Sequence, residues 1–143
     1  VIKDIMRIVV RKALDEMQAR LRTEADFYLS LNFSVDDVID PATLEFLDKE
    51  VKRHGLSSRQ IVLEITERST AHHERLIESM KSFRARGYEF FIDDFGTGYS
   101  NLAYLAKLPI SGIKTFWPSI HRRWGRGGSL VAQYLLGACH RSS

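Results

Sequence analysis

Apolar residues recur at helical spacing through the opening stretch, at Ile2, Ile5, Met6, Val9, Leu14, Met17 and Leu21, which predicts an amphipathic helix. The period then drops to two. In FYLSLNFS, residues 27–34, Phe27, Leu29, Leu31 and Phe33 share one face while Tyr28, Ser30, Asn32 and Ser34 share the other, as in a strand. A second helix is expected from about Pro41, with Asp40 as its cap and Gly55 as its stop. Strand IVLEIT follows, then a helix from about Ala71 to Arg86 closed by Gly87, then strand EFFIDDF. A short helix from about Ser100 ends before Pro109, and GIK opens a further strand. Beyond it, SLVAQYLLGA reads as a short helix.

Strand and helix alternate at about thirty residues per unit, which predicts a parallel sheet covered by helices. An open doubly wound sheet and a barrel both satisfy that order. The strand faces separate them. Asn32, Glu64, Asp93 and Lys114 each sit near the C-terminal end of a predicted strand, between or beside apolar neighbours of opposite face. One face of each strand is thus apolar and the other carries a polar group, whereas strands buried on both faces in an open sheet read as continuous apolar runs. An α/β barrel, with its polar groups at the mouth, is the expected fold class.

Charge divides the chain unevenly. All 18 acidic residues lie within residues 1–94, which sum to −3 with their 15 Lys and Arg; residues 95–143 carry six basic residues and no acid. The chain of 143 residues is 44% apolar, enough for a real core. No signal peptide and no apolar run of membrane-spanning length are seen, so a soluble piece is expected. Cys139 is the sole cysteine, which excludes an internal disulfide framework and suits a reducing cytoplasm.

Candidate chemistry gathers at the strand ends. Asn32, Glu64, Asp93 and Asp94 are all oxygen donors, the ligand type suited to Mg²⁺ or Mn²⁺. Carboxylates converging at one mouth repel one another unless cations neutralise them, and two metals clamping a phosphodiester would account for the excess of acid. Lys114 would add a compact positive charge beside a phosphate. Taken singly, each position has a plainer use, since an Asp at a strand end often caps a helix and Asp-Asp before Gly-Thr-Gly can shape a turn. Recurrence on successive strand ends favours the metal reading. The tripeptide DFG suggests a kinase, but neither a G-x-G-x-x-G loop nor an H-R-D loop accompanies it. His72 and His73 belong to an exposed helix start, Tyr99 and Tyr104 to packing, and Cys139 has no recognisable catalytic partner.

LNFS, LEITE, DDFGTGYSNL and GIK, in this order and spacing, closely resemble the EAL family of cyclic di-GMP phosphodiesterases, from residue 1 to about Lys114. The resemblance implies a TIM-type (β/α) barrel, a homodimer, and two Mg²⁺ or Mn²⁺ ions that activate water to open cyclic di-GMP to pGpG. It assigns Asn32, Glu64, Asp93 and Asp94 as metal ligands and Lys114 as the lysine near the attacking water. Glu67 corresponds to a residue that steadies the loop from Phe95 to Ser100, which the family uses to link metal occupancy to the dimer contact.

The chain also departs from that family. The Glu-Ala-Leu signature, whose glutamate supplies a further metal ligand, is absent, as are the acids expected after Lys114. A complete barrel of this type takes about 250 residues, so about half is expected here. Residues 1–114 read as a partial EAL domain and residues 115–143 as an atypical basic tail, out of frame with the rest. Little or no turnover is expected of the chain alone; it is expected to be cytoplasmic, and its parent protein can carry a membrane anchor. The competing reading is a non-catalytic EAL module that binds cyclic di-GMP or a protein partner. A nucleic-acid contact through HRRWGRGG ranks last, below a solvated basic tail.

Overall fold

The computed structural model describes residues 2–66, 74–95, 102–115 and 131–134. Helix α1 (Ile2–Thr23) precedes strand β1 (Tyr28–Asn32), after which come α2 (Val35–Ile39), α3 (Pro41–Arg53), β2 (Ile61–Thr66), α4 (Glu74–Ala85), β3 (Glu89–Phe95), α5 (Leu102–Leu105), β4 (Gly112–Thr115) and β5 (Val131–Tyr134). The five strands form one sheet in the order β4-β3-β2-β1-β5, with every pairing parallel. Consecutive strands from β1 to β4 are neighbours joined through helices, the arrangement of a partial TIM-type (β/α) barrel.

The alternation read from the sequence sorts the two faces. Phe27, Leu29, Leu31 and Phe33, with Ile61, Leu63, Ile65, Phe90 and Ile92, join the buried residues of the helices in the main core. Tyr28, Val62 and Phe91 form a separate buried cluster. Their positions alternate with those of the main core along the strands, so they belong to the opposite face. That face therefore carries buried apolar residues among its polar groups, rather than a single polar group per strand.

Helix α1 buries Met6, Val10, Ala13, Leu14 and Leu21, whereas Ile5 is 47% exposed and Ile8 62%. Its stripe is thus rotated from the one expected: Ile5 faces water and Val10 and Ala13 take its place. On α3, Asp40 accepts from the Ala42 amide at 3.0 Å and Pro41 occupies the first turn, as the sequence predicts. Gly55 and Gly87 follow α3 and α4 with φ of +65° and +99°, the left-handed values that side chains resist.

Two elements correct the sequence reading. Residues 35–39 form a helix, with Ser34 and Asp37 closing a capping box around its start. The expected helix in SLVAQYLLGA is instead, over Val131–Tyr134, a strand that pairs with β1 from Tyr28↔Val131 to Leu31↔Tyr134. An unpaired edge of β1 would leave a row of backbone donors and acceptors unsatisfied, and β5 satisfies them. Among the described residues, no helix is long and apolar enough to cross a membrane.

Candidate metal centre

The parallel register aligns the strand ends. Asn32 and Glu64 are Cα partners on β1 and β2, and Thr66 and Asp93 are Cα partners on β2 and β3. Counting in steps of two along each strand puts Asn32, Glu64 and Asp93 on the face opposite the main core. Asn32 and Glu64 share one row, and Asp93 lies one row nearer the C-terminal ends of the strands. On β4, Gly112 is the Cα partner of Phe91, so the backbone of Lys114, two residues on, reaches the same end of the sheet.

Burial grades along this face. Glu64 is 1% exposed, while Asn32 and Asp93 are half-buried. A carboxylate removed from water to this extent requires hydrogen bonds or cations. The Ser30 hydroxyl, itself fully buried, donates to Glu64 Oε1 from the neighbouring strand. The Glu64 backbone carbonyl accepts from the Phe33 amide at 2.8 Å, locking the chain where it leaves β1.

Strand β3 is irregular at the acidic pair. Its pairing with β4 runs through Ile92↔Ile113 and resumes at Phe95↔Thr115, so Asp93 and Asp94 together stand against Lys114. An extra residue of this kind is a β-bulge, which bends the strand and breaks the two-residue alternation. Adjacent acids on a regular strand would fall on opposite faces, and the bulge removes that obligation at this position.

The donor set suits a hard divalent cation: a buried carboxylate, an amide and a second carboxylate, all oxygen, on one face at the strand ends. Among the described residues, no three His, Cys, Asp or Glu side chains come close enough to hold a metal ion. The opposite end of the sheet is different in character. A surface groove lined by Asp48, Lys52, Ser58 and Arg86 opens beside the N-terminal ends of β2 and β3, away from these carboxylates.

In the sequence, Ser30 is one more polar member of an alternating strand. Its only signal there is its place two residues before Asn32 on the same face. Glu67, His72, His73, Tyr99, Cys139, HRRWGRGG and residues 96–100 of the loop from Phe95 to Ser100 lie outside the described residues.

The EAL domain family model matches residues 1–116. The chain is 30% identical over 107 residues to the probable cyclic di-GMP phosphodiesterase PdeB of Escherichia coli (strain K12), covering 75% of this chain and 21% of that protein. Among solved structures it resembles the PaMucR phosphodiesterase in its c-di-GMP complex, with a TM-score of 0.73 and 30% identity, covering 80% of this chain and 47% of that one. The EAL domain of Mycobacterium smegmatis DcpA gives a TM-score of 0.69 at 30% identity, covering 80% and 53%. The chain therefore spans about a fifth of the E. coli relative and about half of the two solved chains.

Proposed function

The chain belongs to the EAL domain family, and we propose that it is part of a metal-dependent phosphodiesterase that hydrolyses cyclic di-GMP to linear pGpG. The observation that carries this reading is the pairing of Asn32 with Glu64, with Asp93 one row beyond on the same face. Asn32, Glu64, Asp93 and Asp94 are the residues that would hold Mg²⁺ or Mn²⁺. When bound, a divalent cation supplies Lewis acidity, neutralising phosphodiester charge and making a water more acidic.

The remaining roles fall to the chain itself. Burial of Glu64 keeps water away from its carboxylate and strengthens its attraction for a cation. Lys114 brings a fixed positive charge to the strand ends, where it favours an anionic phosphodiester and the proton loss of an attacking water. Glu67 is assigned to hold the loop from Phe95 to Ser100, through which two copies would meet.

Because the sheet has five strands among the described residues, against eight in a closed barrel, metal and nucleotide binding are the primary readouts and turnover the secondary one. Calorimetry should detect Mn²⁺ binding that Asp93→Asn and Glu64→Gln each abolish. Incubation with cyclic di-GMP followed by chromatography reports any pGpG. Nucleotide binding with no pGpG, even from a longer chain that closes the barrel, would make this a non-catalytic EAL module. Failure to bind either Mn²⁺ or cyclic di-GMP would overturn the reading.

A further inference from the structure

The inward face of β1 presents Ser30 one row below Asn32. Ser30 is the Cα partner of Val62, and Asn32 that of Glu64, so the Ser30 side chain reaches diagonally across the strands to the Glu64 carboxylate. Both groups are essentially excluded from solvent, at 0% and 1% exposure. A carboxylate can only accept, so the hydroxyl is the donor. A buried hydroxyl with no partner is rare, and this contact satisfies it.

From this geometry we infer that Ser30 is a positioning residue for Glu64. It holds the carboxylate in one orientation from the side facing away from the mouth of the sheet. The inference rests on the proposal that Glu64 is a metal ligand and adds a role that the ligand set leaves open. Glutamate has three side-chain torsions, and an unrestrained ligand must lose that freedom each time a cation binds. Val62, which follows Ile61 and precedes Leu63 on β2, offers no polar atom to do this from its own strand. β1 supplies one restraint from across the sheet, with the smallest hydroxyl-bearing side chain. A residue much larger than serine at position 30 would crowd the buried cluster of Tyr28, Val62 and Phe91 on the same face.

The test compares wild type with Ser30→Ala, Ser30→Thr and Glu64→Gln, reading Mn²⁺ affinity by calorimetry and the unfolding transition without metal. Ser30→Ala is expected to weaken Mn²⁺ by about tenfold or more while Ser30→Thr restores affinity to within about threefold, in line with the cost of removing groups that orient metal ligands. Ser30→Cys keeps the shape of serine with a larger terminal atom and a weaker donor and should fall between serine and alanine, which provides a second series if threonine does not fit. Wild-type Mn²⁺ affinity in folded Ser30→Ala, alongside loss of binding in Glu64→Gln, would overturn the positioning role and leave the metal reading standing. Absence of Mn²⁺ binding in wild type would remove the metal reading itself, and this inference with it.

Discussion

Gly112 lies directly beside Phe91 in the β3–β4 register, and a Cβ built on it would approach two atoms of the Phe91 ring to 2.9 Å. Phe91 is 2% exposed and packs edge-on against Tyr28 with ring centroids 6.5 Å apart. The ring has little room to yield. Gly112→Ala is therefore expected to destabilise the fold by about 1–3 kcal/mol, the usual range for overpacking a filled layer. Urea unfolding followed by circular dichroism checks this. An unchanged midpoint would mean that the ring swings aside at no cost.

Tyr88, fully buried immediately before β3, donates from its hydroxyl to Asp48 Oδ1 on α3 at 2.9 Å. Burial pushes the Asp48 carboxyl up, but the hydrogen bonds from Tyr88 and Arg86 and the charges of Lys52 and Arg86 outweigh it and hold Asp48 below the usual carboxylate range. The depressed acid stabilises the fold above its ordinary value and loses that contribution as pH falls through the lowered one. Tyr88 is shifted upward, by burial first and then by Asp48. Its contribution is complete below the ordinary phenol value and is lost as pH rises beyond it. Tyr88→Phe should therefore cost about 1–3 kcal/mol near neutral pH. The gap from wild type should narrow below about pH 4 and again above about pH 10. Denaturant unfolding across that range tests the shape, and a pH-independent gap would contradict it.

Ser34, two residues past the end of β1, accepts from the Asp37 amide at 3.0 Å, while Asp37 accepts from the Ser34 amide at 3.1 Å. This reciprocal cap holds α2 and fixes the path by which the chain leaves Asn32. Ser34→Ala is expected to cost about 1 kcal/mol. Ser34→Asp, which keeps an acceptor, should cost less if its charge beside Asp37 is tolerated. Thermal unfolding distinguishes the two, and equal stability of wild type and Ser34→Ala would show that packing alone holds α2.

The contrast between β1 and its neighbours shows what a single sequence reveals. The strict alternation from Phe27 to Ser34 exposes both the strand and its faces, because side-chain direction in a strand depends on parity alone. Parity alone thus puts Asn32, Glu64 and Asp93 on the polar faces of their strands, independent of pairing. The stripe on α1 is less legible, since apolar residues wrap around its first turns and periodicity does not distinguish Ile5 from Val10 as the core-facing residue. Helix α2 is too short to show a period, although the S-x-x-D pattern at Ser34 and Asp37 marks its cap. Val131–Tyr134 is also short, and its strand character comes from the β1 edge, a partner about one hundred residues away in sequence. The Ser30–Glu64 contact depends likewise on register between strands, which local pattern does not contain.

The bulge on β3 is the least legible feature and has the most direct consequence for the acidic pair. Asp93 and Asp94 stand against Lys114 because β4 is one residue short between its pairings to Ile92 and Phe95. Inserting a single glycine between Ile113 and Lys114 would give β4 its missing residue and restore a regular ladder, leaving both aspartates in the sequence. With alternation restored, the two acids would fall on opposite faces, and under the proposed metal reading only one could serve a cation beside Glu64. The insertion is expected to lower Mn²⁺ affinity by about tenfold or more, comparable to losing a group that sets ligand geometry. An unfolding transition close to that of wild type would show that the sheet accepts the change. Calorimetric titration of the insertion variant against wild type and Asp94→Asn measures the effect. Undiminished affinity in the folded insertion variant would show that the acidic pair does not depend on the bulge.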